Sequence, residues 1–289
     1  MKNYLVSAII TTYNRKFVDI YRSINSVIKQ NYKNIELILV DDNLKESPAR
    51  IDIESNISKL DGLINYKYIK HEINMGAQQA RNTGIKNASG ELLAFLDDDD
   101  EWMENKISKQ VEKYQDGVGL IFTKGYLIEE ETNKKQEYFT TPYFKEEFTF
   151  KDLLYSDRIG TTTQAMIPKK VLEDVGYFDL NQQARQDYEM WLRISKKYRC
   201  VGVDDFLYNH YIHKGEQISK NINKSISGYN NIYKKYLNDF KKNPLAREHL
   251  FYRQFKNYKK AKKYSLAFIY LLKLIIYAPS AIIDKLFNK

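Results

Sequence analysis

Two hydrophobic periodicities alternate along the first hundred residues. Leu5 to Thr12, Ile35 to Val40, the weaker Asn65 to Lys70, and Glu91 to Leu96 are short runs rich in apolar residues. Runs of that length bounded by turn residues predict strands. Between the first two, Phe17, Ile20, Tyr21, Ile24, Val27 and Ile28 fall on one face of a helix. Gly76 to Ala88 reads as a second helix, and Ile107, Val111 and Tyr114 mark a third. Strands alternating with helices predict an α/β fold with a mostly parallel central sheet flanked by helices. Ligands of such sheets gather outside the carboxyl ends of the strands. Asp41-Asp42 and Asp97 to Asp100 each end an apolar run, so both acidic clusters are expected to face one crevice.

The second half is less regular. Val118 to Glu129 and Lys135 to Tyr143 read as strands around a turn at Thr132-Asn133, and Thr163 to Ile167 as a further strand. Asp187 to Lys197 has helical spacing, with Tyr188, Trp191, Leu192 and Ser195 on one face. Tyr198 to Tyr211 is strand-rich, and Asn221 to Phe255 reads as tyrosine-rich helix. The longest apolar stretch, Tyr264 to Phe287, is interrupted by Lys273 and Pro279.

Charge changes the picture of that tail. Lys241 to Lys289 holds twelve Lys/Arg and two acids, whereas the rest of the chain carries 34 Lys/Arg and 35 Asp/Glu. A neutral body argues against a nucleic-acid partner. Lys256, Lys259, Lys260, Lys262 and Lys263 directly precede the apolar stretch. That order predicts helices lying on an anionic membrane surface. The competing expectations are a helix packed on the body, a homodimer contact, or a true span. Cys200 is the only cysteine, which excludes an intramolecular disulfide and a Cys-based zinc site and fits an intracellular setting. The first residues carry no leader pattern, so a cytoplasmic location is expected.

Asp97-Asp98-Asp99-Asp100 is the densest chemical signal. Adjacent carboxylates repel, and a hard cation such as Mg²⁺ or Mn²⁺ among them offsets that repulsion. The bland reading is a solvated acidic turn that caps the next helix. Asp41 is open to two readings, a turn cap or an acceptor for a base N–H or sugar hydroxyl. Arg81 is either a surface cation or a phosphate ligand. Asp187 is either an N-cap or a general base. His213 is either incidental or a phosphate or metal contact.

Several segments together resemble the family 2 glycosyltransferases of the GT-A, or nucleotide-diphospho-sugar transferase, fold. They are Val6 to Arg15, Val40-Asp41-Asp42-Asn43, Gly76 with Ala80 to Gly84, Gly90-Glu91, and Phe95 to Trp102. Val175 to Asp179 and Gln186 to Arg193 continue the likeness, which covers residues 4 to 215. The resemblance implies that Thr11, Tyr13 and Asp41 hold the nucleotide base and that Arg81 lies near base and phosphates. It implies that Asp97 to Asp99 form a DXD-like region, with Asp98 near the ribose and Asp99 the metal ligand, and that Asp187 is the catalytic base. Inversion by direct displacement, with Mn²⁺ or Mg²⁺, follows from the same resemblance. So do a nucleotide sugar donor, UDP-linked by preference, and a glycan or polyprenyl-linked acceptor of bacterial surface-polysaccharide synthesis. Thr11 replaces a Pro and Gln186 a Glu found in many members. Residues 1–215 are expected to form the catalytic domain, with a nucleotide-binding half (1–115) and an acceptor-side half (116–215). Residues 216–289 are expected to form a helical, membrane-associating extension. A sugar nucleotidylyltransferase is the alternative enzyme, but the Thr12-Tyr13-Asn14-Arg15 loop lacks the Gly it would want. A non-catalytic sugar-nucleotide or glycan-binding scaffold is the alternative without chemistry.

Overall fold

A computed structural model describes residues 2–138, 144–212 and 221–277. Four parallel strands build the N-terminal half: β1 (Val6–Thr12), β2 (Ile35–Asp41), β3 (Asn65–Lys70) and β4 (Leu92–Asp97). Their registers bring Thr12 opposite Asp41 and Thr11 opposite Asp97. The two acidic clusters therefore lie at one sheet edge, as the pattern predicts. The helices Phe17–Ile28 and Ala77–Asn87 return the chain between strands. The first buries Phe17, Ile20, Ile24 and Val27, the positions its periodicity selects.

The sheet continues through β5 (Glu101–Trp102), β6 (Val118–Glu129), β7 (Lys134–Tyr138), β8 (Glu147–Phe148), β9 (Met166–Pro168) and β10 (Arg199–Ile212). The order is β3-β2-β1-β4-β9-β6-β10-β5, with β7 on β6 and β8 on β10. β6 and β10 are parallel, while β9 runs antiparallel between β4 and β6. The sheet is thus mixed but mostly parallel in its long pairings. Helix Gln186–Ser195 packs beneath β6 and β10 and buries Tyr188, Trp191 and Leu192.

Two details differ from the sequence expectations. Thr162–Gln164 is a short 3-10 helix, and only Met166–Pro168 is strand, because the threonine side chains turn toward the acidic cluster. The expected helix 221–255 is three helices, Ile222–Lys235, Leu237–Lys242 and Pro244–Lys260. Pro244 opens the third and disfavours helix at the residue before it. Of the strand expected from Lys135 to Tyr143, Lys134–Tyr138 is strand, and residues 139–143 lie outside the described residues, as does His213.

The C-terminal helices are fastened to the α/β body. Gln182 donates to the carbonyls of Ala184 and Gly228 at 2.6 and 3.0 Å. A Cβ at Gly228 would sit 2.5 Å from the Ala184 carbonyl oxygen, so this position needs glycine. Helix Tyr264–Tyr277 folds back along Pro244–Lys260. Among the described residues no helix is long and apolar enough to cross a membrane.

Candidate active site

The crevice begins where β1, β2 and β4 end. Asp41 is fully buried. It accepts from Arg50 Nε at 2.7 Å, Tyr68 Oη at 2.5 Å, and the backbone and side-chain nitrogens of Asn43. Asn43 also accepts from the backbone N–H of Asn14, whose left-handed backbone (φ 57°) turns the chain after Tyr13. Tyr13 is left 54% exposed beside this network. Asp42 accepts from the backbone of Met75 and Gly76 and from Asn74, and it pairs with His71. It thereby fixes the loop that starts helix Ala77–Asn87.

That helix presents Arg81, whose Nη2 donates to Asp97 Oδ1 at 2.8 Å. Its Nη1 is buried with no partner among the described residues. A buried unused guanidinium donor calls for an acceptor, such as a ligand oxygen. Thr162 also donates to Asp97 Oδ1 at 3.2 Å.

The rest of the acidic run is held by cations and hydroxyls. Arg15 reaches Asp98 at 3.2 Å and Asp99 at 2.8 Å. Asp100 is fully buried and accepts from Thr163 at 2.6 Å, besides bonding His210 at 2.9 Å. Arg22 and Ser23 donate to the Asp99 and Asp100 carbonyls. Burial pushes the Asp98 carboxyl up to about 7, with Arg15 opposing. Asp99 is raised by burial and by the charges of Asp100 and Asp97. Burial disfavours charge on His210, yet its acidic neighbours, Asp100 first, hold it up at about 9.

These residues suit a divalent cation. The donors are hard oxygens, and the Arg15 guanidinium already stands as a positive charge between Asp98 and Asp99. Among the described residues no three His, Cys, Asp or Glu converge as a metal cage. One or two carboxylates, with diphosphate and water completing the shell, is the usual Mg²⁺ arrangement.

Asp187 begins helix Gln186–Ser195, after Arg185 in left-handed conformation (φ 60°). Its Oδ1 accepts the Tyr188 N–H at 2.7 Å. Burial raises its pKa, while Arg185 and Arg81 oppose and Asp97 adds to the rise. Asp187 thus lies within electrostatic reach of Arg81 and Asp97. The registers of β1, β2 and β4 place Thr11, Asp41 and Asp97 at neighbouring strand ends, where Arg81 pairs with Asp97 and Arg15 with Asp98 and Asp99. The sequence pattern gave no reason to single out Arg15, Arg50, Tyr68, Asp157 or His210. Arg15 alone left a trace, as the last residue of the Val6 to Arg15 segment that carries the family resemblance.

Comparison with known proteins agrees with this architecture. Residues 7–176 match the family model described as Glycosyl transferase family 2. The Escherichia coli UDP-Glc:alpha-D-GlcNAc-diphosphoundecaprenol beta-1,3-glucosyltransferase WfgD is 30% identical over 249 residues, 86% of this chain and 90% of the relative. S. aureus TarS 1-349 in complex with UDP-GlcNAc superposes with a TM-score of 0.63 at 18% identity, covering 98% of this chain and 76% of that TarS 1-349 chain. The Pyrobaculum calidifontis mannosyltransferase PcManGT, in complex with GDP-Man and Mn2+, gives 0.65 at 15% identity over 95% of this chain and 76% of that protein. The family match over residues 7–176 and the 30% identity to WfgD over 86% of the chain establish that this chain is a glycosyltransferase and belongs to glycosyl transferase family 2.

Proposed function

We propose that the enzyme transfers a sugar from a UDP-sugar to a polyprenyl-diphosphate-linked glycan at the cytoplasmic face of an anionic membrane, inverting the anomeric carbon. The observation that carries this is the Arg81–Asp97 pair on a helix that Gln78 and Asn82 tie to the segment leading to Asp187. Direct displacement needs a base on the acceptor side and charge stabilisation on the leaving-group side. The WfgD likeness supports the donor and the lipid-linked acceptor.

In this reading Thr11, Tyr13 and the Asp41 network line the nucleoside side, with Asp98 toward the ribose. Arg81 Nη1 donates to the diphosphate. Asp99 would hold Mn²⁺ or Mg²⁺, and the bound ion supplies neutralisation of the departing diphosphate charge. Asp187 accepts the acceptor hydroxyl proton as that oxygen attacks the anomeric carbon. The electron pair of the breaking C–O bond leaves with the nucleoside diphosphate.

A thermal-shift screen of nucleotide sugars with Mn²⁺ identifies the donor, with UDP-sugars expected to stabilise most. Transfer is then followed with a short-chain polyprenyl-diphospho-GlcNAc as probe acceptor. Asp187→Asn should keep donor binding and lose a factor of about 10² to 10⁴ in turnover. Normal turnover in that variant would make Asp187 a helix cap and place the base elsewhere.

A further inference from the structure

The acids around the crevice divide into two kinds. Asp41, Asp42 and Asp97 to Asp100 are each held by a cation, a histidine or several donors. Asp187 and Asp157 are not. Among the described residues Asp187 accepts only the Tyr188 N–H, and Asp157 only the Gly160 N–H at 3.0 Å. Both bonds fall on Oδ1, so among the described residues neither Oδ2 has a donor.

The segments carrying these two residues are tied together on either side of Asp157. Tyr188 Oη donates to the Leu153 carbonyl at 2.7 Å, on helix Phe150–Tyr155 just before it. Trp191 Nε1 donates to the Gly160 carbonyl at 3.0 Å, just after it. Both donors sit on the helix that Asp187 opens. The turn bearing Asp157 is therefore held against the start of that helix. Two buried aromatic anchors, Trp191 at 0% and Tyr188 at 2% exposure, make the hold rigid.

We propose that Asp157 is a positioning residue for the base: its charge, fixed beside Asp187 by these two tethers, strengthens Asp187 toward the acceptor proton. The proposal rests on Asp187 being the base. Two neighbouring carboxylates cannot both ionise cheaply, so the doubly charged pair accepts a proton more readily than a lone aspartate. The proton comes from the acceptor hydroxyl as the new C–O bond forms, and no further reactant is needed. Gln186 contributes no charge beside the base, and Asp157 supplies it from another segment. The facing charges fit this arrangement. Burial and then Asp187 push Asp157 up to about 7, while Arg185 and Arg253 pull it down. Asp187 faces Arg185, Arg81 and Asp97. The Tyr138 phenol faces both acids and is raised chiefly by burial.

The test is the pH profile of kcat for UDP release from UDP-glucose, with Mn²⁺ and the probe acceptor, in the full chain. Asp157→Asn should move the acid limb down by about one pH unit. A weaker base should also lower the plateau roughly tenfold with the donor KM unchanged. Asp157→Glu should keep the limb of the unmodified enzyme. Asp157→Ser removes the charge but retains an acceptor for Gly160, and it must shift the limb as Asn does even if the Asn variant fails to fold. A limb unmoved in the charge-removing variants overturns the proposal, whether or not kcat falls. Asp187→Asn separates the two readings. If that variant is active, the base assignment fails; if it is inactive while the Asp157 limbs coincide, only the pairing fails.

Discussion

At the scale of single residues, the acidic run was legible because an apolar strand must end somewhere, and here it ends in carboxylates. Their partners were not legible. Arg15 and Asp99 are 84 positions apart, and only the parallel register of β1 and β4 brings them to 2.8 Å. Asp157 had no pattern at all, being a lone acid in an irregular stretch. The Arg15 pairing also sharpens what a cation must do at Asp99, since binding there competes with a guanidinium already in place. Asp99→Asn should abolish the gain in UDP affinity on adding Mn²⁺ and cut transfer by roughly 10² or more, the scale of losing one stabilising group at the leaving charge. Titration calorimetry of UDP with Mn²⁺ and with EDTA reads this directly. Equal affinity under both conditions in the unmodified enzyme would remove the metal from the reading.

At the scale of elements, the nucleotide-side strands and their helices followed the periodicity closely, because each buries one face against the sheet. The acceptor side did not. Its pieces are short and are ordered by polar contacts between distant segments, which no local pattern encodes. Asn82 is the clearest case. Its side chain donates to the Phe178 carbonyl and accepts the Phe178 N–H, both at 2.9 Å, and it is 6% exposed. Gln78, one turn earlier, donates to the Gln182 carbonyl at 2.8 Å. Helix Ala77–Asn87, which carries Arg81, is thereby locked to the segment leading to Asp187. Asn82→Ala strands a buried N–H and a buried carbonyl, at a cost of roughly 1–3 kcal/mol for each. Thermal unfolding should fall by several degrees. Turnover should fall more than donor affinity, because Asp187 loses its register with the Arg81 helix. A stable variant with unchanged turnover would show that the two halves keep their alignment by other means.

At the scale of the whole molecule, the unresolved question of the sequence was what the basic, apolar tail meets. Helix Tyr264–Tyr277 has two apolar faces. Ala267, Tyr270 and Leu274 are buried, and Phe251 and Tyr258 of the preceding helix lie against Tyr270. Phe268, Ile269, Leu272, Ile275 and Ile276 recur on the opposite face and are 41–68% exposed. A solvent-facing helix normally turns polar residues outward. Exposed Lys259, Lys260, Lys262 and Lys263 flank the start of this helix. The extension also reaches the α/β body near Asp187, since Arg253 donates to Tyr229, whose ring lies 5.1 Å from Arg185. A lipid surface on the outward face would thus lie one helix away from the acceptor side. Removing the tail at Asn257 is a poor test, because it strips buried Tyr258, Tyr270 and Leu274 from the core. Point changes are cleaner. The full chain should bind phosphatidylglycerol vesicles and not neutral phosphatidylcholine ones, and added salt should weaken the binding. Each lysine near the surface contributes about 1 kcal/mol, so charge reversal at Lys259, Lys260 and Lys262 should lower vesicle affinity at least tenfold. Leu272→Asp with Ile276→Asp should do the same by setting charges in the apolar face, while donor binding stays unchanged. If the full chain ignores anionic vesicles at low salt and instead sediments as a dimer that the same two substitutions dissociate, the outward face is a contact between copies, and the acceptor must reach Asp187 without a docked membrane.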